Sequence, residues 1–68
     1  MTYELKMAQR YRQHAEELRT IAATDRDYRT QKMLMNVALD YERMAGCMES
    51  IEDANRSLGK IPAAAAEH

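Results

Sequence analysis

Few of the residues that interrupt helices occur in this sequence. Among its 68 residues there are two glycines, Gly46 and Gly59, and one proline, Pro62. Because glycine and proline are the strongest breakers of regular structure, residues 3–58 can form helix almost throughout. The scarcity of breakers predicts an all-α fold with very few turns.

Cysteine is equally scarce. Cys47 is the single cysteine, so the chain can form neither an internal disulfide nor a zinc site built on several thiolates. A reactive thiolate needs an electropositive setting, whereas Glu49 and Asp40 near Cys47 are acidic. A plain, partly buried thiol is therefore favoured, with a disulfide between two copies under oxidation as the alternative.

Long apolar runs are missing, and neither sign of charge dominates. The sequence contains no stretch of the about 18 apolar residues that a transmembrane helix requires, and its start, residues 1–6, lacks the apolar segment of a signal peptide. Ten basic and eleven acidic residues give a net charge of −1, so no overall field attracts nucleic acid or an anionic membrane. We expect a soluble, cytoplasmic protein that does not bind membranes.

The residue sets that catalysis and metal binding require are also missing. No glycine-rich phosphate loop, Ser/His/Asp set or aligned pair of buried carboxylates can be assembled, so no enzymatic activity and no cofactor are predicted. His14 and Glu17 stand three apart and could face one metal ion, but Tyr11 occupies the place where a helical di-metal motif needs glutamate. A histidine at the edge of the apolar surface is favoured, and no metal is expected.

What the sequence does contain is a repeat of apolar residues with the spacing of a helix. The first stripe has alternating spacings of three and four and consists of Ala8, Tyr11, Ala15, Leu18 and Ala22. Such spacing is typical of one buried face of a helix and predicts helix 1 over about residues 3–23. The pattern then lapses, and Thr24, Asp25 or Asp27 could cap the next helix.

A longer stripe with the same alternation follows in the second half. Its members are Leu34, Val37, Tyr41, Met44, Met48, Ile51, Asn55 and Leu58. The stripe predicts helix 2 over about residues 27–58, with Gly59 as a left-handed C-terminal cap. Residues 60–68 are predicted to be a disordered tail, and the closing Glu67 and His68 resemble the remnant of an expression tag.

Residues 1–59 are thus predicted to form one antiparallel hairpin of unequal helices. At 1.5 Å per residue, about ten residues of helix 2, with Met48, Ile51 and Leu58, would overrun helix 1. A core in a chain below roughly 70 to 80 residues seldom supplies more than about 3 to 5 kcal/mol. We therefore expect a second copy to cover helix 2 through its whole stripe, giving a homodimeric four-helix bundle in which the polar Asn55 sets the register.

Charged pairs with helical spacing support both helices. Pairs at three or four residues contribute a few tenths of a kcal/mol each, and the predicted exposed-face pairs are Arg12/Glu16, Glu16/Arg19, Asp40/Arg43 and Glu52/Arg56. A basic cluster near the hairpin tip comprises Arg19, Arg26, Arg29 and Lys32. Since Asp25 and Asp27 interrupt this cluster, nucleic-acid binding is not expected.

The methionines allow two interpretations, and so does Gly46. Flexible thioethers fill irregular gaps, which favours packing roles for Met7, Met33, Met44 and Met48; the alternative is an adaptable groove for a hydrophobic ligand or a partner's helix. Gly46 inside helix 2 fits a close helix crossing and a solvent-side glycine equally well.

Two segments carry a resemblance to known sequences. Residues 11–19 read Tyr-Arg-x-x-Ala-Glu-Glu-Leu-Arg, and residues 34–45 read Leu-x-x-x-Ala-x-x-Tyr-Glu-Arg-Met-Ala. Over about residues 10–48 the chain resembles a group of short uncharacterised bacterial helical-hairpin proteins. The resemblance implies a hairpin and brings no function with it.

The sequence therefore predicts a non-enzymatic structural or protein-interaction module that self-associates through its apolar stripes. The alternative is a small binding protein that takes a hydrophobic ligand or a partner helix in the methionine-rich groove. A protein partner of unknown identity is compatible with either.

Overall fold

Two helices account for nearly all of residues 2–59, which are the residues that the computed structural model describes. Helix α1 spans Tyr3–Thr24 and helix α2 spans Tyr28–Gly59, and the two pack against each other as a hairpin. The predicted all-α hairpin is confirmed, with every helix boundary within one residue of expectation. The predicted tail, residues 60–68, lies outside the described residues.

Side-chain caps explain where both helices begin. The Oγ1 atom of Thr2 accepts a hydrogen bond from the Leu5 amide at 3.2 Å, which satisfies one of the unpaired amides that open α1. At the start of α2, Oδ1 of Asp27 accepts from the Arg29 amide at 2.9 Å. Asp27 is therefore the N-cap among the three candidates, while Oδ1 of Asp25 accepts from the Asp27 amide at 2.7 Å inside the turn.

The end of α2 differs from expectation. Gly59 is its last residue, and no glycine among residues 2–59 has a positive φ, so the prediction of a left-handed cap at Gly59 is wrong. Among residues 2–59, nothing lies within 4 Å of a Cβ placed on this glycine.

Alanine forms the centre of the contact between the helices. The buried apolar residues recur every seventh position on each helix and are Ala8, Ala15, Ala22, Ala38 and Ala45, none more than 3% exposed. Small side chains allow helix axes to approach closely, and a seven-residue repeat keeps one seam facing the neighbouring helix. This alanine seam is the intramolecular core.

The helices are level at their midpoints. Arg12, near the middle of α1, reaches both Glu42 at 2.9 Å and Glu49 at 2.5 Å on α2. Along the long axis of the hairpin, Arg12 therefore lies between these two glutamates, close to Ala45 in the middle of α2. Since α2 has 32 residues and α1 has 22, the ten-residue difference is divided between the two ends of the hairpin.

This register corrects the predicted overrun of α2. The amide of Asn55 donates to Glu4 in the first turn of α1 at 3.4 Å, so α1 still accompanies α2 at that level. The prediction that Met48 and Ile51 lie beyond the reach of α1 is wrong, and of the three residues expected there only Leu58 extends past it. The cause is the extended backbone of the turn, which carries the chain beyond the end of α1 before α2 begins.

The hairpin is one helix thick. Its Cα atoms span 59 × 18 × 11 Å, and the two helices lie side by side in a single layer. Within residues 2–59, no large side chain is fully buried, and neither helix has the length and apolarity needed to cross a membrane. Since stable domains bury apolar surface between two layers, the flat sides of this hairpin remain without a covering layer.

Candidate interaction surface

The alanine seam divides the hairpin into two flat sides with different chemistry. On one side the ring of Tyr41 lies 5.9 Å from that of Tyr11 and 5.3 Å from that of His14, measured between centroids. At about 100° per residue, one set of side chains shares this side. We call it the apolar face, and it comprises Met7, Tyr11, His14, Leu18, Ile21, Leu34, Val37, Tyr41, Met44, Met48, Ile51 and Leu58.

The apolar face is accessible along its whole length. Its most exposed apolar members range from 38% to 59% exposure and are Ile21, Val37, Met44, Ile51 and Leu58. Its half-buried members are Met7, Tyr11, Leu18, Leu34, Tyr41 and Met48. Contiguous apolar surface of this kind marks interaction sites in proteins that otherwise keep such side chains inside.

The predicted interface stripe of α2 lies on this face. Seven of its eight members belong to the apolar face, and the eighth, Asn55, lies beside them at its end, bonded to Glu4. Tyr11 and Leu18, which belong to the predicted stripe of α1, lie on the same face, whereas the alanines of that stripe lie in the seam. The centre of the contact between the helices, however, is the neighbouring row through Ala38 and Ala45, because only small side chains fit between the closely spaced helices.

His14 lies in the middle of the apolar face with a polar partner. Its Nδ1 atom is 3.6 Å from Oε2 of Glu17, and both side chains are exposed. Among residues 2–59 no three His, Cys, Asp or Glu side chains are grouped so that they could hold a metal ion. His14 therefore lies within the apolar face, next to Tyr41, and not at its edge as predicted.

The opposite side carries an ion-pair network, which we call the ion-pair face. Arg12 pairs with Glu42 and Glu49, and Arg19 pairs with Glu42 at 3.2 Å and with Glu16 at 2.7 Å. The predicted Arg12/Glu16 pair is not formed, because Arg12 reaches across to α2. These side chains are between 30% and 74% exposed, so each pair contributes at most about 1 kcal/mol. Their main effect is to favour one register.

The other predicted pairs form as expected, with one difference in burial. Arg43 lies 3.6 Å from Asp40, and Arg56 lies 3.6 Å from Glu52. Glu52 is not on an exposed face, however, because it is only 8% exposed and continues the buried row of α2. Once Ala45 is known to lie in the seam, the seven-residue repeat leads to this position.

The positions of Arg19, Cys47 and Gly46 in the structure decide three of the expectations from the sequence. Arg19 is held in the ion-pair network, so it does not belong to the basic cluster at the tip. Cys47 is exposed, which makes the prediction of a partly buried thiol wrong, because this residue is on the side of α2 away from α1. No atom of residues 2–59 lies within 4 Å of a Cβ placed on Gly46, so α1 does not cross α2 closely there.

The surface grooves do not coincide with the predicted methionine-rich groove. A groove of about 740 Å³ runs along α1, and most of the residues that line it have polar or charged side chains, among them Gln9, Gln13 and Glu17. Met44 and Met48 are not among its lining residues and lie on the apolar face, which is flat. That face is therefore the strongest candidate for a functional surface.

Comparison of the chain with protein-family models, with curated proteins and with solved structures gave no match. The resemblance to bacterial helical-hairpin proteins stays a prediction.

Proposed function

We propose that the protein is a non-enzymatic structural or protein-interaction module that self-associates through its apolar face into a homodimeric four-helix bundle. The observation that carries this proposal is the distribution of apolar side chains. The intramolecular seam consists of alanines, whereas most of the large apolar residues lie together on one accessible side; Met35 and Leu39 are exposed elsewhere. Burial of that side requires a second layer of helices.

A second copy is the occupant that fits the apolar face best. The face is flat and as long as the hairpin, so an identical face can cover it completely, as in the isologous interface of a twofold dimer. With a net charge of −1, two copies experience little mutual repulsion. The ion-pair face then points outward to solvent or to a further protein partner. The cytoplasmic location expected from the sequence belongs to this proposal.

Sedimentation equilibrium at micromolar concentrations tests the proposal with two matched variants. Ile51 and Leu39 are 45% and 50% exposed, but Ile51 lies on the apolar face and Leu39 on the opposite side. Ile51→Asp should raise the dimer dissociation constant more than about 100-fold, because an unpaired charge in a covered seam costs several kcal/mol. Leu39→Asp should leave it nearly unchanged. A folded wild type that stays monomeric would refute the proposal.

The second candidate function is a small binding protein that uses the methionines of the same face. Met44 is 39% exposed and Met48 is half-buried, and accessible, flexible thioethers adapt to varied apolar partners. Native mass spectrometry distinguishes the two candidates. A homodimer without added mass supports self-association, and a monomer that retains a small molecule supports the alternative.

A further inference from the structure

We infer that the two copies of the dimer pack with their hairpin tips at opposite ends, so that α1 lies antiparallel on α1 of the second copy and α2 on α2. This inference rests on the proposed self-association and specifies its geometry. If the long axes of the two hairpins are aligned, so that the whole apolar face is covered, a twofold rotation can bring the two faces together in two ways. The tips lie either at opposite ends, with like helices stacked, or at the same end, with α1 stacked on α2 of the second copy.

Helix length favours opposite tips. The midpoint of Tyr3–Thr24 lies beside His14 and that of Tyr28–Gly59 beside Met44, and the contacts of Arg12 with Glu42 and Glu49 place the two midpoints at nearly the same level. A twofold axis through both midpoints therefore stacks each helix on its full-length equivalent. With the tips together, α2 would stack on the shorter α1, and the exposed Leu58 would stay uncovered.

Charge gives an independent argument for the same arrangement. Arg10 and Glu17 are both exposed, lie at the outer edge of the apolar face and are equidistant from the midpoint of α1. Antiparallel stacking of α1 on α1 places each Arg10 beside Glu17 of the second copy, which gives two symmetric ion pairs. With the tips together, Glu17 would instead be level with the exposed Asp40 of the second copy, and these like charges would repel.

Charge reversal separates the two arrangements by the sign of its effect on the dimer dissociation constant. With opposite tips, Glu17→Arg should weaken the dimer about tenfold, since two attractive pairs become repulsive, and the double variant Arg10→Glu/Glu17→Arg should restore most of the affinity. The change in the dissociation constant caused by Glu17→Arg should be smaller at high salt concentration, because salt screens the charges. Glu17→Gln is the control for loss of the His14–Glu17 contact and should weaken the dimer less than Glu17→Arg.

A tighter dimer for Glu17→Arg would overturn the inferred orientation, because the new arginine would then lie beside Asp40 of the second copy. Self-association itself would stand in that case. A wild type that is monomeric at every concentration would instead refute the proposed function, so the two failures are distinguishable.

Cysteine crosslinking provides a second measurement. In a Cys47→Ser background, His14→Cys places thiols from both copies next to the twofold axis, where facing helices bring Cα atoms within the about 4.4 to 6.8 Å that a disulfide requires. Mild oxidation should then yield a covalent dimer, while Gln13→Cys, on the outer side of α1, should not. Absence of the His14→Cys crosslink in a protein that sediments as a dimer would overturn the orientation.

Discussion

Single alanines decide how closely the two helices approach. Ala15 has no exposed surface, and its neighbours along the seam are equally small. A closely packed protein interior is destabilised by even one additional methylene group, because neither the backbone nor the side chains can move without a cost in free energy. The seam therefore depends on residue size more than on hydrophobicity.

Ala15→Leu should lower the free energy of unfolding by about 1 to 3 kcal/mol, because the larger side chain overpacks the seam. Urea denaturation followed by circular dichroism measures the change. Ala23→Leu is the matched control on the same helix, since Ala23 is exposed, and should change stability by less than about 0.5 kcal/mol. Equal effects of the two substitutions would mean that the seam is not tightly packed.

Gly46→Ala should raise the free energy of unfolding by about 0.5 to 1 kcal/mol. Alanine has the higher helix propensity, and nothing lies within 4 Å of the added Cβ. Ala54→Gly, at an exposed position of α2, should lower stability by a similar amount in the same urea titration. Destabilisation by Gly46→Ala would indicate that another chain packs closely against the ion-pair face.

At the scale of elements, the turn sets both the start of α2 and the register of the hairpin. Asp27 caps α2 through the Arg29 amide, and Asp25 holds the Asp27 amide. In addition, the side-chain amide of Gln31 donates to the backbone carbonyl of Asp25. These contacts fix the extended turn that divides the length difference between the two ends of the hairpin.

Replacement of Asp25 and Asp27 together by alanine should lower the free energy of unfolding by about 1 to 2 kcal/mol, because α2 loses its cap and the turn loses its internal bond. Thermal melting by circular dichroism measures this loss. Asp53→Ala in the exposed part of α2 is the control and should have little effect. A melting curve that the double substitution leaves unchanged would contradict the role of the turn.

At the scale of the whole molecule, folding and association should be coupled. The seam buries only small apolar side chains, and a chain of this length needs further burial for stability. The midpoint of thermal unfolding should therefore rise with protein concentration, by roughly 10 °C for a 100-fold increase, since mass action contributes about 2.7 kcal/mol.

Differential scanning calorimetry at about 5 and 500 µM measures that shift. The Ile51→Asp variant supplies the control, because a chain that does not associate should melt at the same temperature at both concentrations. A wild-type midpoint that is independent of concentration would contradict coupled folding and association.

The sequence by itself determined the two helices and the part of the apolar face that α2 contributes. Scarce breakers and alternating spacings of three and four are local properties, and so are the polar residues of the turn. They predicted α1 and α2 within one residue at each boundary, and they identified the stripe from Leu34 to Leu58 as one surface.

Only the tertiary structure decided which row forms the seam and where the helices are level. The rows through Ala38 and through Tyr41 lie side by side on α2, and sequence periodicity cannot rank two adjacent rows. Which row forms the seam depends on how closely the two backbones approach each other, and a close approach favours the row with the smallest side chains. The register likewise depends on the extended turn and on Arg12 reaching across to Glu42 and Glu49, contacts between residues that are far apart in the chain.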